Sequence, residues 1–450
     1  MNEAYKKRDL EGIKKRLKSH TRFIQFQRKL IKNKNYNIEI ENILIYPIVE
    51  SVDTLSDIIN RISCSLPQKD GLNIFIAVSD NLKNINITEL PTPKYQARYI
   101  GKNKNIHIIN HTLIKEHLET DYILIYDIRV LNKLSLLRKV YKIKIIDKEY
   151  FSYEEAENLR SLFFNCLKDE EKSNYLDISR KNYFNMIEKN KGKKNAYCFT
   201  TGPSFDNYKN IKIKKDSFKI ICNSIVKNSD FIDYVKGVDL LTFADPVFHF
   251  GPSTYTEKFI NDVISLVNKY DTYIIVPEKS MPLLLSHYSQ LKANLIGMPT
   301  GNKLNIPSVD NFFVKGSSNI LTLFMIPLAT AVATTTFIIG ADGRKKEEKY
   351  FWKHSNIVQY SDEMESTFIT HPSFFRDRDY SDYYLEHCEF LEKLLYYGES
   401  KNHFYFSGTR SFIPALEKRQ YKNIILIKLK RFLINTIKES WIYAQYKKNK

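Results

Sequence analysis

The chain has 450 residues, with Lys+Arg 69 against Asp+Glu 51, a formal net charge of +18, and 43% hydrophobic and 13% aromatic content. That length favours two hydrophobic cores over one, and the apolar content excludes a disordered polymer. Five cysteines (Cys64, Cys166, Cys198, Cys222 and Cys388) are widely spaced without a CxxC, which argues for a reducing compartment and against a disulfide framework or a structural zinc site.

The positive charge belongs to the two ends. Residues 1–34 hold twelve Lys/Arg and three acids, residues 417–450 hold ten and two, and the body between is left at about +1. The first stretch predicts a basic helix over 1–40. It is polar and charged from Asn2 to Lys18, so no secretory signal is expected.

The first α/β unit, 41–150, begins at Ile43-Leu44-Ile45-Tyr46-Pro47. Further strands are predicted at Asn73–Val78, Ile106–Ile109, Tyr122–Tyr126 and Tyr141–Ile146, alternating with helical segments such as Val52–Ile62. Their ends carry Glu50, Asp80 and Asp127 without a glycine-rich fingerprint. Residues 151–194 read as a charged helical bridge, closed by the breaker Lys189–Lys194.

In the second domain, 195–415, three apolar runs end in small polar clusters. Ala196–Thr200 leads into Thr201-Gly202-Pro203-Ser204, Lys219–Ile221 into Cys222-Asn223-Ser224, and Leu240–Phe243 into Ala244-Asp245-Pro246. In an open α/β sheet, ligands bind beyond the carboxyl ends of the strands, so these three ends outline one candidate site. Further strands are predicted at Thr272–Val276, Asn294–Met298, Phe337–Ile339 and His403–Phe406. The stretch Gly316–Ala341 is uncharged and long enough to span a bilayer. It reads instead as a buried helix, Ile320–Ala333, broken by Pro327, and then a central strand. Arg344–Asp382 is irregular, polar and aromatic, which predicts a long functional loop or lid.

Each candidate has two readings. Gly202-Pro203-Ser204 fits an ordinary turn, and equally a turn offering N–H groups and a hydroxyl to an anion. It matches neither GxxxxGK[ST] nor GxGxxG. Gly316-Ser317-Ser318-Asn319 fits helix caps or phosphate ligands. Asp245 suits an N-cap, or a carboxylate nucleophile or base in an apolar strand-end pocket. His371, beside Pro372 in the polar stretch, is preferred over His249 and His354 as a general acid or base. Asp377-Arg378-Asp379 fits a solvated loop better than a metal–diphosphate site. The last segment, 416–450, mixes Ile424, Phe432, Trp441 and Ile442 with Lys428, Lys430 and Arg431. That composition fits an amphipathic helix on an anionic membrane surface and equally one packed across the body; nucleic acid is not expected.

Taken in order, these clusters, with Ile339-Gly340-Ala341-Asp342-Gly343 and His371, resemble a bacterial CMP-sugar transferase domain. The order is similar to that of the Campylobacter-type sialyltransferases. Phe243-Ala244-Asp245-Pro246-Val247-Phe248-His249-Phe250-Gly251 looks closer to the retaining β-Kdo transferases of lipopolysaccharide and O-antigen assembly, because those sialyltransferases look to carry Asn at the Asp245 position. The resemblance implies a GT-B-like α/β fold, with two Rossmann-like domains, mostly parallel sheets and basic terminal helices added. It implies that Gly202, Pro203, Ser204, Asn223, Gly316, Ser317 and Ser318 hold CMP, with Arg344 and Tyr350 as further phosphate candidates. Asp245 would form a sugar adduct and His371 would move the proton. The donor would be CMP-Kdo or CMP-sialic acid, the acceptor a glycan or lipid-linked glycan, with no cofactor or metal. The location implied is cytoplasmic, peripheral to the inner membrane. The alternatives are an inverting sialyltransferase using His371 as base, a noncatalytic assembly protein, and a pterin diphosphokinase-like enzyme.

Overall fold

Runs dense in Ile, Val, Phe and Tyr become strands because β-branched and aromatic side chains pack well on a pleated surface. The computed structural model describes residues 40–110, 120–133, 142–344, 355, 357–376 and 381–420. Within them the runs build two parallel sheets in two separate units, 1–93 with 99–168 and 94–98 with 169–450. The basic helices expected at 1–40 and 416–450 lie almost wholly outside the described residues, as do Tyr350, His354 and Asp377-Arg378-Asp379.

The first unit holds β1 (Asn42–Val49), β2 (Asn73–Val78), β3 (Ile106–Asn110), β4 (Tyr122–Ile125) and β5 (Lys142–Ile145) in the order β3-β2-β1-β4-β5. All pairings are parallel, and Ile43 of β1 stands opposite Ile74 on one side and Tyr122 on the other. Helix α1 (Val52–Ser65) follows β1. The Ser51 hydroxyl caps it by accepting from the Thr54 N–H. Leu55, Ile58, Ile59 and Ile62 recur at helical spacing and are buried.

The second unit holds β6 (Asn195–Phe199), β7 (Phe218–Cys222), β8 (Leu240–Thr242), β9 (Tyr273–Pro277), β10 (Leu295–Met298), β13 (Thr335–Ile339) and β14 (Phe404–Ser407). Their order is β10-β9-β8-β7-β6-β13-β14, again all parallel. A short parallel pair, β11 (Thr300–Gly301) and β12 (Val314–Lys315), lies apart from this sheet. Both units are thus α/β with parallel sheets, compatible with a Rossmann-like fold. Each reverses its winding once, between β1 and β4 and between β6 and β13. No helix among the described residues is long and apolar enough to cross a membrane.

The helical bridge expected over 151–194 resolves into two helices belonging to different units. Helix α2 (Lys148–Cys166) buries Leu159, Leu162 and Phe163 in the first unit. Helix α3 (Asp169–Lys189) buries Tyr183 and Met186 in the second, where Asn182 Nδ2 donates to the Leu295 carbonyl at 2.8 Å. Only Leu167-Lys168 remains between them. Each helix carries a stripe that must be covered, and its own sheet covers it.

The helix expected at Ile320–Ala333 starts with a wider turn. Leu321–Met325 is π-helical, the Ile326 N–H reaching the Leu321 carbonyl, and α4 (Ile326–Val332) continues from it. Pro327 explains the widening. It has no N–H to give to the preceding turn, and its ring would strike a carbonyl in α geometry.

At the carboxyl ends of β6 and β13 the two chains lie back to back. The Thr200 N–H donates to the Ile339 carbonyl at 2.8 Å and the Gly202 N–H to the Gly340 carbonyl at 2.9 Å. Gly340 has φ +77°, and a Cβ there would stand 2.3 Å from the Thr200 carbonyl oxygen. Gly340→Ala meets both a disfavoured conformation and a backbone clash. It is expected to destabilise the second unit by about 2 kcal/mol or more, lowering its unfolding midpoint by about 4 °C or more in calorimetry. An unchanged midpoint would show that this apposition is not tight.

Candidate functional site

The carboxyl edge of the seven-stranded sheet, at its reversal between β6 and β13, collects most of the residues singled out from the sequence. Topology alone brings them there. Parallel strands end on one edge, and α4, which precedes β13, starts from that edge.

The Gly202-Pro203-Ser204 turn is anchored by Phe205. That ring is fully buried, with centroids 4.8 Å from Phe231 and 5.7 Å from Tyr208. The expected backbone anion cradle is filled by the chain itself. The Gly202 N–H is held by Gly340, Pro203 has none, and the Ser204 N–H donates to Asp342 Oδ2 at 3.0 Å. A Cβ on Gly202 would fall 2.2 Å from that same oxygen, so only glycine allows the carboxylate in. Burial raises the Asp342 carboxyl above its ordinary pKa, against the hydrogen bonds from Ser204. Asp342 was legible only as part of a motif; its contact is a finding of the structure.

Asn223, at the end of β7, has φ +48°. Asn tolerates this left-handed conformation better than most residues, and such strain is often kept at functional sites. Its side chain makes no hydrogen bond among the described residues. Next to it, Ser224 shares a hydrogen bond with the Tyr255 hydroxyl, which also feels the negative charge of Asp245. Burial first, then that charge, raises the Tyr255 phenol. The Tyr255 ring also packs against Phe248, centroids 5.2 Å apart, a contact that sequence reasoning missed.

Asp245 caps the short helix Pro246–His249, its Oδ1 accepting from the Val247 N–H at 2.9 Å and the Phe248 N–H at 3.2 Å. The capping role is thus real. His249 belongs to the core: it is buried between Phe259 and Phe243, centroids 4.6 and 5.2 Å away, and burial lowers its pKa to about 3.

His371 departs from the loop-borne base that was expected. It is 1% exposed and ends α5 (Met364–Thr370), its N–H donating to the Thr367 carbonyl. Gly251, six residues beyond Asp245, makes room for the imidazole: a Cβ there would stand 3.2 Å from Nε2. The reason for the burial is docking of α5 on a helix far upstream in sequence, Thr254–Tyr270. Ser366 Oγ accepts from the Tyr255 N–H, and Thr254 Oγ1 donates to Glu363 at 2.7 Å.

The described part of the expected lid is likewise packed. Ser355, Val358 and Tyr360 are buried, the Ser355 N–H donates to the Thr201 carbonyl at 2.7 Å, and its hydroxyl bonds Asp206. Arg344 lies 4.8 Å over the Tyr384 ring, and its backbone N–H donates to the Tyr384 hydroxyl.

The serines at the start of the π-helical turn are not its caps. Asn319 Oδ1 accepts the Leu321 N–H at 3.0 Å, while Ser317 Oγ pairs with Thr322 Oγ1. The Ser318 carbonyl accepts from Tyr383, and the Gly316 N–H donates to Gly301. Gly316 and Ser318 are exposed, Ser317 half-buried. Among the described residues no group of three or more His, Cys, Asp or Glu could hold a metal ion.

Two buried histidines set a pH dependence. Burial holds His249 at about 3 and His387 at about 4, below the ordinary 6.5. Both fold neutral, so their stability is complete above pH 6.5 and is lost as pH falls toward 4 and 3, because the unfolded chain takes up protons first. His249→Phe should flatten the loss of thermal stability between these limits relative to wild type. Parallel pH curves for the two proteins would refute this. Comparison with protein-family models, curated proteins and solved structures finds no match to this chain.

Proposed function

We propose that the chain is a GT-B-like glycosyltransferase that moves Kdo, or a related 2-keto acid sugar, from its CMP conjugate to a cell-surface glycan acceptor with retention. One observation carries the reading: Asp245 and His371 converge on one short segment, since Gly251 of the Asp245 strand end forms the wall on which the His371 imidazole rests. The order of motifs supports the donor class, with Ser204, Asn223, Ser317, Ser318 and Arg344 as its contacts. The first unit would take the acceptor. The basic ends would keep the enzyme at the cytoplasmic face of the inner membrane.

In the first step the bond from sugar C2 to the phosphate oxygen breaks, and CMP leaves with its electron pair. An Asp245 oxygen bonds C2 as the oxocarbenium-like centre forms. In the second step the acceptor hydroxyl attacks C2, its proton passes to His371, and the Asp245 carboxylate is released. The His371 ring is buried, so substrate would reach it only through a movement of the residues around it.

A second reading, inversion with His371 as base, is favoured by the capping bonds of Asp245, which tie up the lone pairs of one oxygen. Intact-protein mass spectrometry after mixing with fresh CMP-Kdo separates the two. The retaining reading expects a Kdo-sized increment in wild type and none in Asp245→Asn. CMP release with acceptor but without an adduct, undiminished in Asp245→Asn, would move the assignment to inversion. Neither adduct nor CMP release with CMP-Kdo or CMP-sialic acid would remove the transferase reading. His371→Asn is expected to lower kcat by about 10²–10⁴-fold under either mechanism; unchanged kcat would exclude His371 from proton transfer.

A further inference from the structure

The first unit contains a cavity of about 390 Å³ that the proposed donor chemistry, placed in the second unit, does not use. It lies between α1 and α2, roofed by the segments that follow β4 and β5. This is the carboxyl side of the sheet, next to the reversal between β1 and β4, where a Rossmann-like unit places a nucleotide. The lining does not suit one. No glycine-rich turn follows β1, and six carboxylates face the cavity against three cations, Arg61, Arg129 and Lys148.

All three cations are already engaged. Arg61 bonds Asp57 at 3.1 Å and Glu155 at 2.8 Å, Lys148 bonds Asp57 at 2.9 Å, and Arg129 grips Asp127 at 2.7 Å. Burial opposes the Arg61 charge, and its two carboxylate partners more than offset that. Each of the three is thus neutralised by a carboxylate already in place. Asp147 is different. It is 2% exposed, lines the cavity, and is held by the N–H groups of Ile128, Glu149 and Tyr150. No cation pairs with it among the described residues. Burial raises its carboxyl to about 6, against the three N–H groups that hold it. Isoleucines 58, 62 and 146 and Leu159 supply an apolar floor, and Tyr126 and Tyr150 add aromatic surface.

We infer that this cavity is a binding site for a small amine-bearing molecule, of monosaccharide to disaccharide size, whose ammonium group is received by Asp147. The volume falls in the range of ordinary small-molecule sites. The apolar floor and tyrosines suit a compact carbon skeleton, and the surplus of carboxylates rejects phosphates and sugar acids while favouring a cation. The inference stands apart from the donor reading, which concerns the second unit only.

Calorimetric titration of the full chain tests it with a matched pair, glucosamine and glucose, which differ only in the amine, and with putrescine as an amine without a ring. Glucosamine is expected to bind at least about tenfold tighter than glucose, and Asp147→Asn, which retains a capping side chain, to abolish that preference. Thr54→Trp, filling the cavity from α1, should abolish binding altogether, independently of any effect at Asp147. Putrescine binding as tightly as glucosamine would assign the site to linear amines; weaker binding would assign it to amino sugars. Equal affinity for glucosamine and glucose, no binding of either amine, or an unchanged preference in both variants would overturn the inference.

Discussion

The second unit depends on two glycines that let two strand ends touch. At the reversal of the sheet, β6 and β13 leave the ladder side by side, and their following turns remain hydrogen-bonded through Gly202 and Gly340. Neither position has space for a Cβ. Everything else at the carboxyl edge is referenced to this contact. It fixes where the Ser204 turn starts, brings Asp342 onto the Ser204 N–H, and sets the surface to which Ser355 attaches through Thr201 and Asp206. Steric exclusion, more than any single attraction, defines the geometry of the edge.

Around this contact, the second unit solves its polar burial problem locally. Asp245 spends an oxygen on two backbone donors, Asn182 reaches two carbonyls, and Tyr183 finds the Pro307 carbonyl at 2.8 Å. Buried polar atoms without partners cost stability, so such exceptions are informative. His249 Nδ1 is one, held neutral within an aromatic cluster. The first unit uses charge instead, with Arg61 joining Asp57 of its own helix to Glu155 of the next. Breaking such a buried pair by removing one partner is strongly destabilising, because the other charge stays behind.

Much of the architecture was legible in the sequence because strands advertise themselves locally. Asn73–Val78 and Phe337–Ile339 are dense in β-branched or aromatic residues and became parallel strands within two residues of the expected bounds, while the run starting at Ile43 extends to Val49. Asp245 was readable as a cap for the same reason, since the two N–H groups it accepts lie two and three residues away. Contacts of long sequence separation were not readable. Asp342 meets Ser204 across 138 residues and Arg61 meets Glu155 across 94. His371 was read as part of a polar loop because the helix that precedes it is short; that helix is docked through Thr254 and Tyr255, more than a hundred residues earlier. Capping by Asn319 rather than by the serines was decided by the π turn, which shifts where the first unpaired N–H falls.

That π turn also sets an angular phase. One extra residue in a helical turn rotates everything upstream by about 100° relative to everything downstream. Leu321–Met325 are all buried, so the turn is gripped from every side and cannot re-phase without repacking. Deleting a single residue there would restore a simpler helix and leave its hydrophobic content almost intact. It would also swing Ser317, Ser318 and Asn319 around the axis, away from the orientation in which Tyr383 and Thr322 now hold them. The widened turn is therefore a rotational gauge, in which the number of residues matters more than their identity.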